Sequence, residues 1–531
     1  MTIGGPRGGE SGGLGPGSYL SKRQWVISEQ PDSETVQSLI DELRLPETVC
    51  ALLAVRGLTP PEKAKRFLRP DLSQLHDPAT LADAEIAAER ITESIDSHQT
   101  ILVHGDYDVD GISAAALMTR WLTSLGGLVV PFVPHRLRDG YDFGAAGLQA
   151  ARDVGAELII TADCGTAAHR TVEAARAAGI DVIITDHHTV SDSLPNATAV
   201  VNPLRPDCTY PNKGLCGTAL AYKICELVAI AAGKDPEPLV EYLDLVALAT
   251  VADMVPLSGE NRSLVHFGLR RFAHTIVPGI RALLDVTDIS GQDITEREIG
   301  FVIAPRINSA GRVGETTDAL QLLLTDDPSE ALLLARKLDQ TNQERRAEDQ
   351  RTFDEALELL ERDYDLSREM GVVLANDGWH PGVIGIVATR IVEKIQRPVL
   401  IIALDGERGR GSGRSIAGFN LFEALKECSE YLIRFGGHEQ AAGMDVAREA
   451  LPDLREAFNI AANQRFSMDE IRSELFVDLE ISLASIDLKL IHWLKYLGPH
   501  GIGNTSPVFI IREVAFEQTK IVGTNHIKTT L

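Results

Sequence analysis

The sequence is poor in cysteine, in long apolar runs and in basic residues. Its six cysteines are scattered and form no C-x-x-C pair: Cys50, Cys164, Cys208, Cys216, Cys225 and Cys428. This spacing argues against zinc sites, dithiol redox sites and a disulfide framework, so we expect reduced and mostly buried thiols. No apolar run reaches the roughly 20 residues that cross a bilayer, and the Gly-rich N-terminus lacks the features of a secretion signal. These absences predict a cytoplasmic protein without a membrane partner.

Basic residues are outnumbered by acidic ones. The chain has 51 Lys and Arg against 76 Asp and Glu, a formal net charge of −25. Proteins that bind nucleic acid nonspecifically usually have a basic surface, so this balance argues at first sight against a polyanionic partner. Net charge does not describe a local groove, however, and divalent cations reverse the field where carboxylates converge. The composition therefore leaves a nucleic-acid substrate open.

The 531 residues are too many for a single core, since domains contain about 150 residues on average. Residues 1–18 read as a disordered Gly-rich tail, and about 30–97 as a mostly helical lead-in. Short apolar runs rich in β-branched residues follow at 101–103, 158–160 and 182–184, most of them succeeded by Ala-rich helical stretches. This βαβ rhythm predicts an α/β fold with a parallel, doubly wound sheet that binds ligands at the carboxyl ends of its strands. A fourth apolar run, 243–251, is interpreted as strand-like too.

Acidic residues and histidines follow these runs. They are His104, Asp106, Asp108 and Asp110 after the first run, Asp163 after the second, Asp186, His187 and His188 after the third, and Asp253 after the fourth. Carboxylates about 4 Å apart repel by roughly 4 kcal/mol at an effective dielectric near 20, and bound cations remove that cost. Carboxylates and imidazoles without thiolates suit Mn²⁺ or Mg²⁺. The pattern predicts a two-metal phosphoesterase, in which the ions activate water for phosphoryl displacement.

Each of these elements has a simpler explanation when taken alone. An Asp after a strand, such as Asp163, is often a helix N-cap. His187 and His188, taken singly, are more often surface or hydrogen-bonded residues than ligands. The alternating acids after the first run resemble a calcium loop, but the Gly and Glu positions of an EF-hand are missing. The joint occurrence of four acidic turns is what favours a metal site.

The run HGDYDVDG at 104–111, together with Asp186, His187 and His188, resembles the DHH phosphoesterase superfamily. Within it, the chain resembles the RecJ family of bacterial single-strand-specific 5′ to 3′ exonucleases from about residue 50 to the C-terminus. The resemblance implies two ions, Mn²⁺ or Mg²⁺. Their ligands would be His104, Asp108 and Asp163 for one ion, and Asp110, Asp163, His187 and Asp253 for the other. His188 would face the scissile phosphate, and Asp106 and Asp186 would orient ligands.

The segment PRINSAGR at 305–312 resembles a further motif beside the active site of this family. Arg306 would bind a phosphate oxygen as negative charge develops, with Asn308 in the same catalytic set. The alternative is that Arg306 pairs with a surface carboxylate. Beyond this motif, a Gly-free stretch at 329–364 predicts a long amphipathic helix that links two domains. A coiled coil is disfavoured because heptads are not sustained.

Two Gly-rich elements follow, at 408–415 and 435–443. Such elements are usually only turns, but glycine also lets a phosphate approach the backbone closely. Together they resemble the DHH-associated domain, which in this superfamily forms the substrate-holding half of the cleft. The resemblance implies that Ser412, Gly413, Arg414 and Arg136 hold a 5′-terminal phosphate, with His438 also binding substrate. Tyr141, five residues after Arg136 in the sequence, either stacks on a base or belongs to the core.

From about residue 475 the pattern suggests short strands and resembles the start of an oligonucleotide-binding (OB) fold. More barrel strands are expected than the sequence contains, so this domain is either shortened or the sequence is a fragment. The predicted fold is therefore a parallel-sheet DHH domain, joined by a long helix to a smaller α/β DHH-associated domain, with a C-terminal OB-like β domain. The predicted bounds are 1–75 for the tail and lead-in, 76–328 for the DHH domain, 329–365 for the helix, 366–470 for the DHH-associated domain and 471–531 for the OB-like domain.

The resemblance implies an exonuclease that releases 5′-mononucleotides from single-stranded DNA during recombination and repair. It also implies a preferred 5′ phosphate, and a single-strand-binding protein and a helicase as partners. One alternative is a DHH phosphodiesterase for short oligonucleotides or cyclic dinucleotides, but the lead-in, linking helix and OB-like tail exceed what those enzymes contain. The other is a non-catalytic DNA-binding scaffold, which would not need the full set of ligands.

Overall fold

The computed structural model describes residues 24–191, 193–465, 474–522 and 526–530. The chain divides into two compact units. The larger unit comprises Ser28–Arg345 and Asp478–Leu531, and the smaller unit comprises Met1–Ile27 and Arg346–Val477. The tail at 1–18, predicted to be disordered, lies outside the described residues.

A five-stranded parallel sheet forms the centre of the larger unit, with strand order β3-β2-β4-β5-β6. Its strands are β2 (Thr100–Gly105), β3 (Leu128–Phe132), β4 (Leu158–Ala162), β5 (Asp181–Thr185) and β6 (Ala199–Val201). The three predicted strands are confirmed. Because the chain order reverses between β2 and β4, a crevice is expected at their carboxyl ends, where sheets of this kind bind ligands.

Some helices of this unit cover the two faces of the sheet, and others pack on those helices. They are α4 (Ala84–Asp96), α5 (Val109–Ser124), α6 (Ala145–Asp153), α7 (His169–Ala177), α8 (Gly217–Ala231), α9 (Leu243–Ala252), α10 (Gly259–Arg271) and α11 (Pro278–Val286). Ile101 and Val103 of β2 face one buried core, and Leu102 faces the other. Burial on both faces explains why the strands read as continuous apolar runs rather than as alternating patterns.

The interpretation of 243–251 as strand-like is wrong, because this segment is α9. The helix carries apolar residues on all its sides, and nearly the whole segment is buried. Periodicity cannot separate such a helix from a buried strand, whereas the high Leu and Ala content does favour a helix. Asp253 caps the C-terminal end of α9 instead of following a strand.

The helical lead-in packs against the C-terminal residues of the chain. It contains α1 (Ser33–Leu43), α2 (Glu47–Val55) and α3 (Pro61–Leu68). The C-terminal part contains β13 (Leu479–Glu480), α19 (Leu488–Leu494), β14 (Phe509–Ile510), β15 (Glu517–Val522) and β16 (His526–Thr530). Leu39 and Leu53 share one buried core with Leu479 and Leu490. Segments from opposite ends of the sequence therefore build one core.

A run of helices follows α11: α12 (Glu296–Glu298), a π-helical turn (Ile299–Ile303), α13 (Ala304–Val313), α14 (Thr316–Leu324) and α15 (Pro328–Asp363). The long helix predicted at 329–364 is present as α15, which has 36 residues. The division between the two units falls within it, after Arg345.

The smaller unit contains a five-stranded mixed sheet with order β10-β11-β9-β8-β7. Its strands are β7 (Val372–Asp377), β8 (Val399–Asp405), β9 (Arg408–Arg414), β10 (Leu432–Gly437) and β11 (Ala441–Ala447), and its helices are α16 (Ile384–Ile395), α17 (Leu421–Glu427) and α18 (Leu451–Arg465). A separate parallel ribbon pairs β1 (Gln24–Ile27) with β12 (Glu474–Val477).

The Gly-rich element at 408–415 forms strand β9 rather than a turn. Every second residue is a glycine whose missing side chain faces the core. A Cβ would lie 2.5 Å from Ile402 at Gly409 and 2.7 Å from Leu400 at Gly413. Glycine thus repeats with the two-residue period of a strand. The element at 435–443 includes the β10–β11 hairpin.

The six cysteines are free and buried, as expected. Among the described residues, no helix has a segment that is both long and apolar enough to cross a membrane.

Candidate active site

The acidic loop after β2 leads directly into α5. The Asp108 carboxylate caps this helix by accepting hydrogen bonds from the backbone N–H groups of Asp110 (3.0 Å) and Gly111 (3.2 Å). Asn308 of α13 accepts from the Val109 N–H at 3.1 Å. Asn308, predicted as a catalytic residue, therefore holds the loop that carries the aspartates.

Asp110 points at the beginning of α8. Its carboxylate accepts hydrogen bonds from the N–H groups of Gly217 (2.6 Å) and Thr218 (2.7 Å) and from the Thr218 hydroxyl (2.7 Å). Asp110 is 2% exposed. The positive end of the helix stabilises this buried negative charge.

Asp163 follows β4 and has a left-handed backbone, with φ of 68°. This conformation is uncommon for residues other than glycine, and it is held here by a hydrogen bond from the Asp163 N–H to the Thr185 carbonyl (2.9 Å). Gly217 lies against it so closely that a Cβ would be 2.5 Å from the Asp163 Cβ. Burial, together with the charges of Asp110 and Asp108, raises the pKa of Asp163 well above its usual value.

His187 brings three aspartates together. Its Nε2 atom lies 3.0 Å from Asp163 Oδ1, 3.6 Å from Asp253 Oδ2 and 3.7 Å from Asp110 Oδ2. Burial lowers the pKa of His187, which favours the neutral imidazole. Burial and the charges of Asp110 and Asp108 raise the pKa of Asp253 to about 8. The carboxylates thus repel one another around a neutral ring.

The donor atoms of this cluster fit divalent cations. Asp163 Oδ1, His187 Nε2 and Asp106 Oδ1 are buried, and in the described part of the chain they have no hydrogen-bond partner. A carboxylate oxygen and an imidazole nitrogen that carries no proton both need a positive partner when they face each other. Three sets offer ligand atoms within 4.8 Å of one another: Asp163, His187 and His188; Asp110, His187 and Asp253; and Asp106, Asp108 and Asp163. The predicted convergence of these residues is thus present, and Asp163 and His187 each belong to two sets.

His104 lies beside these sets rather than in them. It is fully buried, with Nδ1 3.6 Å from the Cys164 sulfur and its ring packed against Phe132 and Phe143. Burial lowers its pKa to about 4. Its Nε2 atom has no hydrogen-bond partner among the residues described. Its role as a metal ligand stays a prediction, and Asp106, predicted to orient ligands, lies among the grouped acids.

His188 and Asp186 form an ion pair at the rim of the cluster. His188 Nδ1 lies 2.8 Å from Asp186 Oδ1, and the His188 side chain is 44% exposed. Burial opposes the charge, but the hydrogen bond and charge of Asp186 raise the pKa of His188 to about 9. Asp186 also accepts from the N–H groups of Thr166 (2.9 Å) and His187 (2.8 Å). Asp186 therefore orients a cationic imidazole that solvent can reach.

The structure gives Arg306 the alternative partner considered from the sequence. Its guanidinium contacts Asp339 at 2.8 Å and donates to the Val302 carbonyl at 2.6 Å. The phosphate-binding role of Arg306 stays a prediction. Sequence reasoning passed over Arg312, which lies further along α13.

Arg312 lies beside the acidic loop. Burial, Arg136 and Arg345 lower its pKa to about 10, and the charge of Asp108 opposes this shift. The preceding residue packs on the loop, because a Cβ at Gly311 would lie 2.5 Å from the Tyr107 carbonyl oxygen. The signal was present in the sequence as the Gly-Arg pair at the end of the motif.

Arg136 lies over the ring of Tyr107, with 5.2 Å between the guanidinium carbon and the ring centroid. Tyr107 in turn makes an edge contact with Tyr141, which makes another with His188. Tyr141 is 52% exposed. Its exposure beside His188 agrees better with a stacking role than with a core role.

In the smaller unit, Ser412 and Arg414 lie on one side of β9. The Arg414 guanidinium donates to the Ser412 hydroxyl at 3.1 Å and to the Gly413 carbonyl at 2.8 Å. Gly413 faces the opposite, buried side. His438 is exposed in the β10–β11 turn. Of these four predicted substrate-binding residues, three offer side-chain groups to a ligand.

Three family models match the chain. The model of the DHH family, N-terminal domain, matches residues 100–250, the DHHA1 domain matches 369–464, and the RecJ OB domain matches 477–531. Among curated proteins, the single-stranded-DNA-specific exonuclease RecJ of Dickeya dadantii is 35% identical over 531 residues, covering 96% of this chain and 89% of its own length. The chain belongs to the RecJ family.

Other RecJ proteins give the same result. RecJ of Bacillus subtilis is 37% identical over 518 residues, covering 96% of this chain, and the chain spans 64% of the length of that relative. Crystal structures of RecJ from Thermus thermophilus in complex with Mn²⁺ and with Mg²⁺ match with TM-scores of 0.83 and 0.78, at 31% and 30% identity. Each match covers 96% of this chain. The match covers 72% of the chain in the Mn²⁺ structure and 71% of the chain in the Mg²⁺ structure. The resemblance to RecJ and the predicted fold class are thereby confirmed.

Proposed function

We propose that this chain is a metal-dependent exonuclease that degrades single-stranded DNA from its 5′ end and releases 5′-mononucleotides. The observation that carries the proposal is the buried cluster of carboxylates and imidazoles, in which Asp106 Oδ1, Asp163 Oδ1 and His187 Nε2 have no hydrogen-bond partner among the described residues. Support comes from the RecJ relatives, which are named single-stranded-DNA-specific exonucleases, and from Thermus RecJ, which binds Mn²⁺ and Mg²⁺.

The proposed metal ligands are those predicted from the sequence: His104, Asp108, Asp110, Asp163, His187 and Asp253. When bound, two divalent ions lower the pKa of a water molecule and stabilise negative charge on a phosphodiester. The remaining groups orient the ligands and the substrate. Asn308 fixes the loop after β2, and the N-terminus of α8 fixes Asp110.

His188 is the group proposed to act on the substrate. Its pKa, raised to about 9 chiefly by the hydrogen bond and charge of Asp186, favours the protonated imidazole. Because Asp186 binds Nδ1 at 2.8 Å, Nε2 is left to donate to a phosphate oxygen or to the leaving oxygen. Arg312 and Arg136 place further positive charge beside the same loop. The site thus combines acid catalysis with charge neutralisation.

The 5′-end preference is assigned to Ser412 and Arg414 together with Arg136, as the family resemblance implies. A hydroxyl and a guanidinium that share one side of β9 match the acceptors of a terminal phosphate. A single-strand-binding protein and a helicase as partners, a role in recombination and repair, and a cytoplasmic location belong to the same proposal.

One assay tests the proposal directly. The protein is incubated with Mn²⁺ and with 3′-labelled single strands that carry either a 5′ phosphate or a 5′ hydroxyl, in parallel with short dinucleotide substrates. We expect progressive loss from the 5′ end and faster cleavage of the phosphorylated strand. The Asp110→Ala variant provides the inactive control. Degradation from the 3′ end, a preference for dinucleotides, or full activity in the variant would refute the assignment.

A further inference from the structure

Cys164 lies against His104 in the interior of the larger unit. It follows Asp163 in the loop after β4, and it is 1% exposed. Its sulfur lies 3.6 Å from Nδ1 of His104 and 3.9 Å from the backbone carbonyl oxygen of the same residue. A thiol is both a weak donor and a weak acceptor, so each contact can be a hydrogen bond. One buried thiol therefore contacts both the ring and the backbone of a single histidine.

The two contacts distinguish the two forms of a neutral imidazole. Such a ring carries a proton on one nitrogen only, and the hydrogen bond made by one nitrogen decides the state of the other. If the thiol donates to Nδ1 of His104, its only proton is used there, and the sulfur has none to give to the carbonyl. If Nδ1–H donates to the sulfur, the thiol proton can reach the carbonyl. Only the second arrangement makes both contacts hydrogen bonds at once.

The ring of His104 is held beside Cys164 by its neighbours. It is fully buried, and the rings of Phe132 and Phe143 pack on it with centroids 5.1 and 5.3 Å from its own. Helix α6 is in close contact as well, since a Cβ at Gly147 would lie 2.5 Å from Nε2. Because protein interiors are close-packed, the ring cannot turn away from the sulfur without displacing these residues.

The loop that carries Cys164 is fixed in turn. The Thr161 hydroxyl donates to the Cys164 carbonyl at 2.7 Å, and the Gly165 N–H donates to the Asp142 carboxylate at 2.7 Å. Asp163, which is proposed to bind both ions, directly precedes Cys164 in this loop. The same short segment thus supplies a carboxylate to the proposed metal site and an acceptor to a histidine beside it.

With its proton on Nδ1, the imidazole of His104 presents a lone pair at Nε2. This atom is buried and has no hydrogen-bond partner in the described part of the chain. A metal ion requires a bare nitrogen, and histidine ligands almost always donate their other N–H to a fixed acceptor. We propose that Cys164 is a positioning residue that keeps the proton of His104 on Nδ1 and so reserves Nε2 for a divalent ion. The inference rests on the proposed function, in which His104 is a metal ligand.

The first test locates the proton by NMR, without reference to activity. The full chain is prepared with nitrogen-15 in its histidine rings and without metal, and the signals of His104 are identified by their loss in His104→Gln. A protonated and a bare ring nitrogen resonate far apart. We expect the proton on Nδ1 in the wild type and shared between both nitrogens in Cys164→Ala. Cys164→Ser should keep the wild-type pattern, because a hydroxyl also donates and accepts.

The second test is the binding of Mg²⁺ alone, measured by calorimetry on the same proteins. Loss of a residue that orients a metal ligand costs about 10- to 100-fold in affinity, so a loss of this size is expected for Cys164→Ala, with recovery in Cys164→Ser. The control is Cys225→Ala, which removes an equally buried thiol from α8 of the same unit. It should bind Mg²⁺ as the wild type does.

The outcomes separate the role of Cys164 from the proposed function. A proton on Nε2 in the wild type would overturn the role, and this spectrum decides even if Cys164→Ala does not fold. An unchanged tautomer in Cys164→Ala, or equal losses of Mg²⁺ affinity in Cys164→Ala and Cys225→Ala, would overturn it too. All three results leave the proposed function intact if His104→Gln weakens Mg²⁺ binding. If His104→Gln binds Mg²⁺ as the wild type does, the proposed ligand set is wrong, and the role of Cys164 falls with it.

Discussion

Replacing Gly217 by alanine is expected to disable the metal site while leaving the fold intact. A Cβ at this position would lie 2.5 Å from the Asp163 Cβ and 2.9 Å from its Cα. Ordinary contacts are longer by about 1 Å, and misplacement of a catalytic group by that distance costs roughly 100-fold in rate. The effect on stability is small, because alanine favours the first turn of α8 by up to about 1 kcal/mol, which offsets part of the strain.

Two measurements check this prediction. Thermal unfolding is followed across a Mn²⁺ titration, and single-strand degradation is measured in the same buffer. We expect Gly217→Ala to melt near the wild-type temperature without metal, to gain less from Mn²⁺, and to degrade DNA about 100-fold more slowly. Gly144→Ala is the matched control, since this glycine lies at the N-terminal end of α6 in the same unit and a Cβ there has no neighbour closer than 3.9 Å.

The reasoning would be refuted if Gly217→Ala degraded DNA at the wild-type rate and its melting temperature rose at the same Mn²⁺ concentration as that of the wild type. It would mean that Asp163 either moves freely or does not hold metal. A large drop in melting temperature without metal would show instead that the clash is relieved by opening α8, and that the position supports the fold more than the site.

Three further expectations concern charge. Asp163→Asn should raise the melting temperature in EDTA by relieving repulsion, and should abolish the additional rise with Mn²⁺. Burial raises the pKa of Asp244 from 3.8 to about 6. The folded state therefore holds this proton more tightly than the unfolded state, and stability falls as pH rises from 4 to 6. Urea unfolding should show that Asp244→Asn removes up to about 3 kcal/mol of this loss. Arg306→Gln should lower the unfolding free energy by about 1.5–3 kcal/mol, and Asp339→Asn should do the same. A loss of kcat confined to Arg306→Gln would establish the predicted phosphate contact.

The part of the fold that sequence could predict is the part governed by local pattern. Apolar β-branched runs followed by acidic turns identified β2, β4 and β5, and parallel strands necessarily bring their carboxyl ends together. The convergence of Asp108, Asp163 and His187 follows from that geometry alone. The family motifs then assigned chemistry to residues that topology had already brought together.

The part that sequence could not predict depends on tertiary contacts. The apolar run that forms α9 is buried on all sides, so its hydrophobic periodicity cannot distinguish a helix from a strand. The glycines of β9 suggest a turn when the sequence is taken alone. In the fold they are needed because Leu400 and Ile402 occupy the space that their side chains would fill. Arg306 and Arg312 lie on one helix, and the sequence does not show that Arg306 pairs with Asp339. Nor does any local signal join the lead-in to Leu479 and Leu490.

The contact between Asp110 and the first amides of α8 provides a built-in reporter of metal occupancy. The Gly217 and Thr218 N–H groups donate to the same carboxylate that is proposed to bind an ion. Electron density drawn from that carboxylate by a cation weakens its pull on both amide protons. Their NMR resonances should therefore move as the site fills, even before substrate is added. A helix that begins at a proposed metal-binding carboxylate thus transmits the state of the site into the backbone of the domain.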